Sequence, residues 1–127
     1  MSGALRRVTL PQRGDVVWMQ HNPQAGAEMR DMHPMLVICE QAFIERTGIV
    51  IGFPMTHASF NADNPFAVRI QGPKAEVGYV LCHQPKSFDF KLRYGGKHPF
   101  RTVTPQILRD SLERLDLICG IRATLNG

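Results

Sequence analysis

The sequence predicts a mainly β domain: a small antiparallel β-barrel with short helices, followed by a C-terminal α-helix. Short apolar segments bounded by glycine and proline recur through the first two thirds of the 127 residues, whereas the last part has an apolar stripe of helical period. Eleven glycines and nine prolines indicate many turns, which disfavours a helix bundle. With 43% hydrophobic residues the chain is long enough for one core, so we expect a single domain over residues 1–127.

Five apolar segments predict the strands. They are short, rich in valine, isoleucine and aromatic residues, and bounded by turn signals. Most links between them are too short for a crossover helix, so we expect antiparallel neighbours. Closure into a barrel would leave no free sheet edge. The predicted strands cover residues 16–19, 35–39, 49–53, 66–70 and 79–82.

The C-terminal helix is predicted where the period changes. Thr104 is placed to cap its beginning, Pro105 suits its first position, and Gly120 suits its end. Its apolar stripe is formed by Leu108, Leu112, Leu115 and Cys119. Shorter helical turns are predicted at residues 41–46 and 85–89.

Composition and charge narrow the function classes without choosing one. Fifteen lysines and arginines against eleven acidic residues give a formal charge of +4, which permits a polyanionic partner without demonstrating one. The three cysteines lie in apolar stretches, so we expect buried free thiols. Because we find neither a signal-peptide core nor an apolar run of about 18 residues, we expect a cytoplasmic protein without a membrane segment.

Two links between predicted strands are longer than the roughly 2–5 residues that antiparallel neighbours need. The first covers residues 22–33, and the second, residues 57–65, is rich in polar side chains. Long loops in a compact domain are more often functional than not, since their ordering must be maintained against entropy. We therefore expect functional residues on or beside these two links.

Five collinear motifs resemble the MazF/PemK (Kid) family of bacterial toxins over about residues 12–120. They are RGDVVW at 13–18, NPQAGAE at 22–28, PMLVI at 34–38, FPMT at 53–56 and VLCHQPKSFD at 80–89. The resemblance implies an SH3-like barrel of the CcdB/PemK/MazF type that forms a homodimer. It also implies a ribosome-independent, metal-independent endoribonuclease toxin (an mRNA interferase) that cleaves single-stranded RNA and uses no cofactor. A cognate antitoxin, similar to MazE or PemI, would neutralise it within a type II toxin–antitoxin system.

Several of the family's catalytic positions carry other residues in this chain. The family places an arginine before the loop-closing proline and regards it as central to catalysis, whereas this chain has His33. The acidic residue of the family's Asp-Gln pair is His83, and the arginine that assists catalysis in the Kid branch is Leu81. Thr56 and Glu28 keep the family's residue types. The resemblance therefore covers the scaffold well and the catalytic set in part.

RNA cleavage without a metal uses the 2′-hydroxyl as nucleophile, so the site must move two protons and stabilise added negative charge. Imidazole suits both proton transfers. We therefore predict that His33 and His83 are a catalytic pair, that Thr56 donates a hydrogen bond to the phosphate, and that 2′,3′-cyclic phosphate and 5′-hydroxyl ends result. The predicted substrate-binding residues are Glu28, Arg30, His57, Gln84 and Lys86. Each of these residues also has a plainer interpretation as a solvated surface or turn residue.

Two interpretations from other classes stay open. A diverged, catalytically impaired family member would act by binding a protein, as CcdB toxins of this barrel type poison DNA gyrase. Such a binder should expose aromatic or apolar side chains at the end of the C-terminal helix, and residues 121–127 hold no aromatic anchor. A barrel that only binds RNA would instead show salt-sensitive affinity without cleavage.

Overall fold

The computed structural model describes residues 9–21, 32–96 and 100–127. Its strands are β1 Asp15–Gln20, β2 Met32–Val37, β3 Ile49–Thr56, β4 Ala67–Gln71, β5 Val77–Leu81, β6 Lys86–Asp89 and β7 Arg101–Thr102. Its helices are α1 Gln41–Thr47, α2 Phe90–Arg93, α3 Pro105–Cys119 and α4 Ile121–Asn126, with a 3₁₀ helix at Ser59–Asp63. The predicted mainly β class with a C-terminal helix is confirmed.

Every strand pair in the described ranges is antiparallel, as the short links predicted. The order across the sheet is β4-β5-β3-β2-β1-β7, and β6 also pairs with β3. β3 is the central strand of this arrangement. β2 lies along one of its edges, while β5 and β6 follow each other along the opposite edge.

The curled sheet carries one hydrophobic cluster on each face. Met35 and Val37 belong to the first cluster and Leu36 to the second, which is the period of two that a strand between two cores requires. The first cluster also includes Ile44 of α1. The second is covered by α3, which packs against β4 and completes the half-barrel.

One prediction was wrong after the fifth strand, and several short elements were not predicted. Residues 85–89, predicted as a helical turn, form β6 instead, because they pair with Ile49–Gly52 along the free edge of β3. A short helix, α2, then begins at Phe90, where the Asp89 carboxylate accepts a hydrogen bond from the backbone N–H of Leu92 at 3.1 Å. Helix α4 and the two-residue strand β7 were also not predicted.

The predicted ends of the C-terminal helix are confirmed, but its buried face is rotated. The Thr104 hydroxyl accepts the N–H of Ile107 at 3.3 Å, and Gly120 has the left-handed conformation that ends α3. The second cluster is contacted by Ile107 and Leu115, with Ser111 fully buried between them. Cys119 is exposed, so its predicted place in the buried stripe was wrong.

The three cysteines are free thiols, as predicted, although they differ in exposure. Cys82 is fully buried, and this burial raises the pKa of its thiol to about 11. The thiol is therefore protonated near neutral pH and is a poor nucleophile. Among the described helices, none combines the length and the apolar character that crossing a bilayer needs.

Candidate active site

The strand register aligns polar residues from neighbouring strands on one face of the sheet. Thr56 of β3 pairs with Tyr79 of β5, and Tyr79 pairs with Arg69 of β4. The β2–β3 ladder ends at the pair of Met35 and Pro54, and His33 and Thr56 each lie two residues beyond that pair, on the same face of their strands as it. Directly paired residues share a face of a sheet. We call His33, Thr56, Tyr79 and Arg69 the polar row.

Thr56 is held in place by its own backbone turn. Its hydroxyl oxygen accepts the backbone N–H of Ala58 at 3.2 Å, where the chain leaves β3. A hydroxyl has one hydrogen to donate besides its acceptor lone pairs, so this contact fixes the oxygen and leaves the hydrogen available. The half-buried Thr56 side chain is thus able to donate to a phosphate oxygen, which is the role that the sequence predicted.

His57 is attached to β5 next to the polar row. Its Nδ1 lies 2.8 Å from the carbonyl oxygen of Val77, and since a carbonyl only accepts, Nδ1 carries the hydrogen. In the neutral ring Nε2 then has the free lone pair. The ring lies against Gly78, where an added Cβ would come 3.6 Å from Nδ1. This contact joins the beginning of the 57–65 link to the sheet.

His33 is exposed and lies beside a second histidine. The ring centroids of His33 and His21 are 5.5 Å apart in an edge-to-face arrangement, and His21 also contacts the ring of Phe88 at 4.9 Å. Burial, and then the positive charges of His33, Lys86 and Arg93, lower the pKa of His21 to about 4. His21 is therefore neutral near pH 7 and cannot donate a proton from a charged ring.

Arg93 supplies a cation at this end of the sheet, and its position beside β1 was not predicted from the sequence. Its Nη1 donates to the carbonyl oxygen of Gln20 at 3.1 Å, and its guanidinium carbon lies 5.6 Å from the centroid of Phe88. The residue belongs to α2, a helix that was not predicted, so nothing in the sequence placed it near β1. Lys86, at the beginning of β6, is exposed opposite Gly52 and is also close enough to influence His21.

His83 and Gln84 lie in the turn between β5 and β6. Both are exposed, and the Gln84 amide nitrogen is 3.2 Å from Nε2 of His83, whose ring centroid is 6.2 Å from that of Phe66. Across the ranges that the structure covers, no ring contact or hydrogen bond joins His83 to His33. The catalytic pairing of the two histidines stays a prediction.

Two of the predicted substrate-binding residues cannot be placed. Glu28 and Arg30 belong to the first long link, and residues 22–31 lie outside the described part of the chain.

The described residues also contain no group of three or more His, Cys, Asp or Glu side chains arranged to hold a metal ion.

A cavity of about 360 Å³ lies on the opposite face of the sheet from the polar row. Its floor is apolar and includes Trp18, Met55 and Ile107, from β1, β3 and α3. Thr56 and His57 are also among its lining residues, because β3 ends there and the chain turns. The end of β3 therefore adjoins both the polar row and this cavity.

The described residues form a curled antiparallel half-barrel with a C-terminal helix. This architecture defines a class of small β-barrel proteins. Within that class the sequence matches one particular family. Residues 12–119 match the family of PemK-like, MazF-like toxins of type II toxin–antitoxin systems, so the chain belongs to this family. The family resemblance found in the sequence is confirmed.

Individual relatives agree with the family assignment. The endoribonuclease PemK of Escherichia coli is 33% identical over 116 residues, which are 90% of this chain and 86% of PemK. The crystal structure of MazF from Deinococcus radiodurans has a TM-score of 0.73 and 26% identity, covering 89% of this chain and 99% of that one. A mycobacterial endoribonuclease in complex with its cognate antitoxin has the same fold, with a TM-score of 0.64 and 22% identity, over 89% of this chain and 96% of that one.

Proposed function

We propose that this chain is an endoribonuclease toxin of a type II toxin–antitoxin system, which cuts single-stranded RNA without the ribosome and without a metal ion. The observation that carries the proposal is that His33 and Thr56, each two residues beyond the last β2–β3 pair, lie on one sheet face of a chain that belongs to this toxin family. The relative PemK is itself an endoribonuclease, which supports the same activity here.

The reaction that fits these residues is an internal transesterification. The 2′-oxygen attacks the adjacent phosphorus, and the bond from phosphorus to the 5′-oxygen breaks. A base accepts the proton of the 2′-hydroxyl and an acid gives a proton to the leaving 5′-oxygen, so the products are a 2′,3′-cyclic phosphate and a 5′-hydroxyl. We assign these two proton transfers to His33 and His83. Thr56 donates a hydrogen bond to a phosphate oxygen, with its own oxygen fixed by Ala58.

The remaining predicted residues would bind the substrate around this centre. His57 and Gln84 offer hydrogen-bonding groups near the two ends of β5, and Lys86 offers an exposed positive charge. The first link would add Glu28 and Arg30. A formal charge of +4 favours association with a polyanion such as RNA.

The proposal includes the partners and the location that such a toxin needs. A cognate antitoxin of the MazE or PemI type would neutralise the chain, in keeping with a family of toxins that belong to type II toxin–antitoxin systems. The mycobacterial relative in complex with its antitoxin supports such a partner. We also propose that the chain acts as a homodimer in the cytoplasm, where its RNA substrate is found.

A second candidate function has one observation in its favour. Large apolar side chains are exposed around the α3–α4 junction, with Leu117 73% and Leu125 79% exposed, together with Ile118 and Ile121. A toxin that poisons a protein partner would need such a surface. The region contains no aromatic side chain, and the family relatives favour the endoribonuclease.

Incubation of the pure protein with a long single-stranded RNA in EDTA tests the main proposal. We expect defined cuts whose ends are a 2′,3′-cyclic phosphate and a 5′-hydroxyl. Thr56→Ala should lower the cleavage rate by about 100-fold or more, the usual cost of losing one preorganised donor. Thr124→Ala is the matched control, since this exposed threonine donates only to Gly120 of its own helix. Absence of cuts with the wild-type protein would refute the proposal.

A further inference from the structure

Arg69 is the permanent cation of the polar row. It lies in the middle of β4 and pairs with Tyr79, which in turn pairs with Thr56. Its side chain is exposed. Within residues 9–21, 32–96 and 100–127 its guanidinium makes no ion pair or hydrogen bond, so it is available to a ligand.

The spacing of the strands brings Arg69 within reach of the group that Thr56 would bind. Neighbouring strands are about 4.8 Å apart, so the backbones at Thr56 and Arg69 are separated by roughly 10 Å across β5. An extended arginine side chain covers most of that distance. Tyr79, which lies between them on β5, is a buried residue. A phosphate that accepts a hydrogen bond from the Thr56 hydroxyl is therefore within reach of the exposed Arg69 guanidinium.

The transesterification requires a permanent positive charge near the phosphate, and the other residues of the row do not supply one. The phosphorane gains negative charge, and preorganised positive groups that stabilise this charge contribute strongly to the rate. An imidazole such as that of His33 is not permanently charged, whereas a guanidinium is, and its fork of N–H groups matches two phosphate oxygens. Arg93 is occupied at Gln20 and Phe88, near His21 rather than in the row.

We propose that Arg69 binds the scissile phosphate and stabilises the negative charge that it gains in the transition state. This inference rests on the proposed endoribonuclease function. It assigns charge stabilisation to β4, proton transfer to His33 on β2, and a neutral hydrogen bond to Thr56 on β3. No additional bond is made or broken, so the transesterification itself is unchanged.

The test first maps where the wild-type protein cuts a long RNA. A short oligonucleotide that spans one of these cut sites then serves as the substrate. Arg69→Ala should then lower kcat on that oligonucleotide by about 100-fold or more, with KM changed less than threefold, because the lost interaction forms in the transition state. Arg69→Lys should recover part of kcat, since it restores the charge without the bidentate geometry. Arg46→Ala is the matched control, because Arg46 is exposed on α1, outside the row.

The outcomes separate this inference from the proposed function. If the wild-type protein does not cut RNA, the proposed function fails and Arg69 has no such role. If it cuts and Arg69→Ala keeps kcat within threefold, only the inference about Arg69 is overturned. An equal loss in Arg46→Ala, or a loss confined to KM, would also overturn it, because either result indicates general electrostatic binding. Thermal unfolding of each variant checks that this exposed substitution leaves the fold intact.

Discussion

His21 should make the folded state sensitive to mild acid, and the size of the effect follows from its surroundings. Its pKa falls from 6.5 in the unfolded chain to about 4 in the folded protein, because the ring is partly buried beside His33, Lys86 and Arg93. The unfolded state therefore binds more protons than the folded state between these two values. Stability is fully present above pH 6.5 and is lost as the pH falls through 6.5 toward 4.

The magnitude can be worked from this shift. At about 1.36 kcal/mol for each pKa unit, the shift corresponds to roughly 3 kcal/mol if the ring were wholly shielded from water. His21 is only half-buried, so solvent screening reduces the value to about 1.5 kcal/mol, of which about 1 kcal/mol is lost between pH 7 and pH 5. The change is a large fraction of the stability of a small domain.

Urea unfolding of the wild-type protein and of His21→Leu at pH 7 and pH 5 measures the effect. Leucine cannot titrate, and Nε2 of His21 is buried without a hydrogen-bond partner in the described ranges, so the replacement sacrifices no contact of that atom. We expect the wild-type protein to lose about 1 kcal/mol more than the variant over this interval. Equal losses in both proteins, or an NMR titration in which His21 becomes charged near pH 6.5, would refute the reasoning.

Two further predictions address the fold and the alternative function. Gly52→Ala should destabilise the protein by about 2 kcal/mol or more in thermal unfolding, because the added Cβ would overlap the carbonyl oxygen of Leu36. Gly78→Ala is the control and should change stability much less, because its added Cβ would make an ordinary contact of 3.5 Å. Replacing the exposed Leu117 and Leu125 together by serine should leave both RNA cleavage and growth arrest intact; loss of growth arrest with cleavage retained would favour the protein-binding alternative.

Local signals in the sequence were sufficient for most of the fold. Each predicted strand is bounded by turn residues next to it in the chain, and Thr104 and Gly120 mark the ends of α3 through short-range hydrogen bonding and a left-handed backbone. β6 was missed for a different reason. Its four residues are extended because they pair with Ile49–Gly52, about 37 positions earlier, and no local pattern records a partner at that distance.

The candidate site was predictable only where a family motif marks the residue. His33, Thr56 and His83 were predicted because they stand at recognisable positions of the resemblance. Arg69 stands in a period-two strand, where an exposed charged residue looks like ordinary surface. Its relation to Thr56 depends on two strand registers, one between β3 and β5 and one between β5 and β4, and neither can be read from a single sequence.

The polar row also explains how the departure at His33 is compatible with a ribonuclease. Residues of the row come from four different strands, so the group at one position can change without moving the backbone that holds the others. A cation is needed near the phosphate, but it need not come from β2, because any strand of the row presents a side chain to the same face. In the mechanism we propose, the histidine on β2 supplies proton transfer and the arginine on β4 supplies a permanent charge.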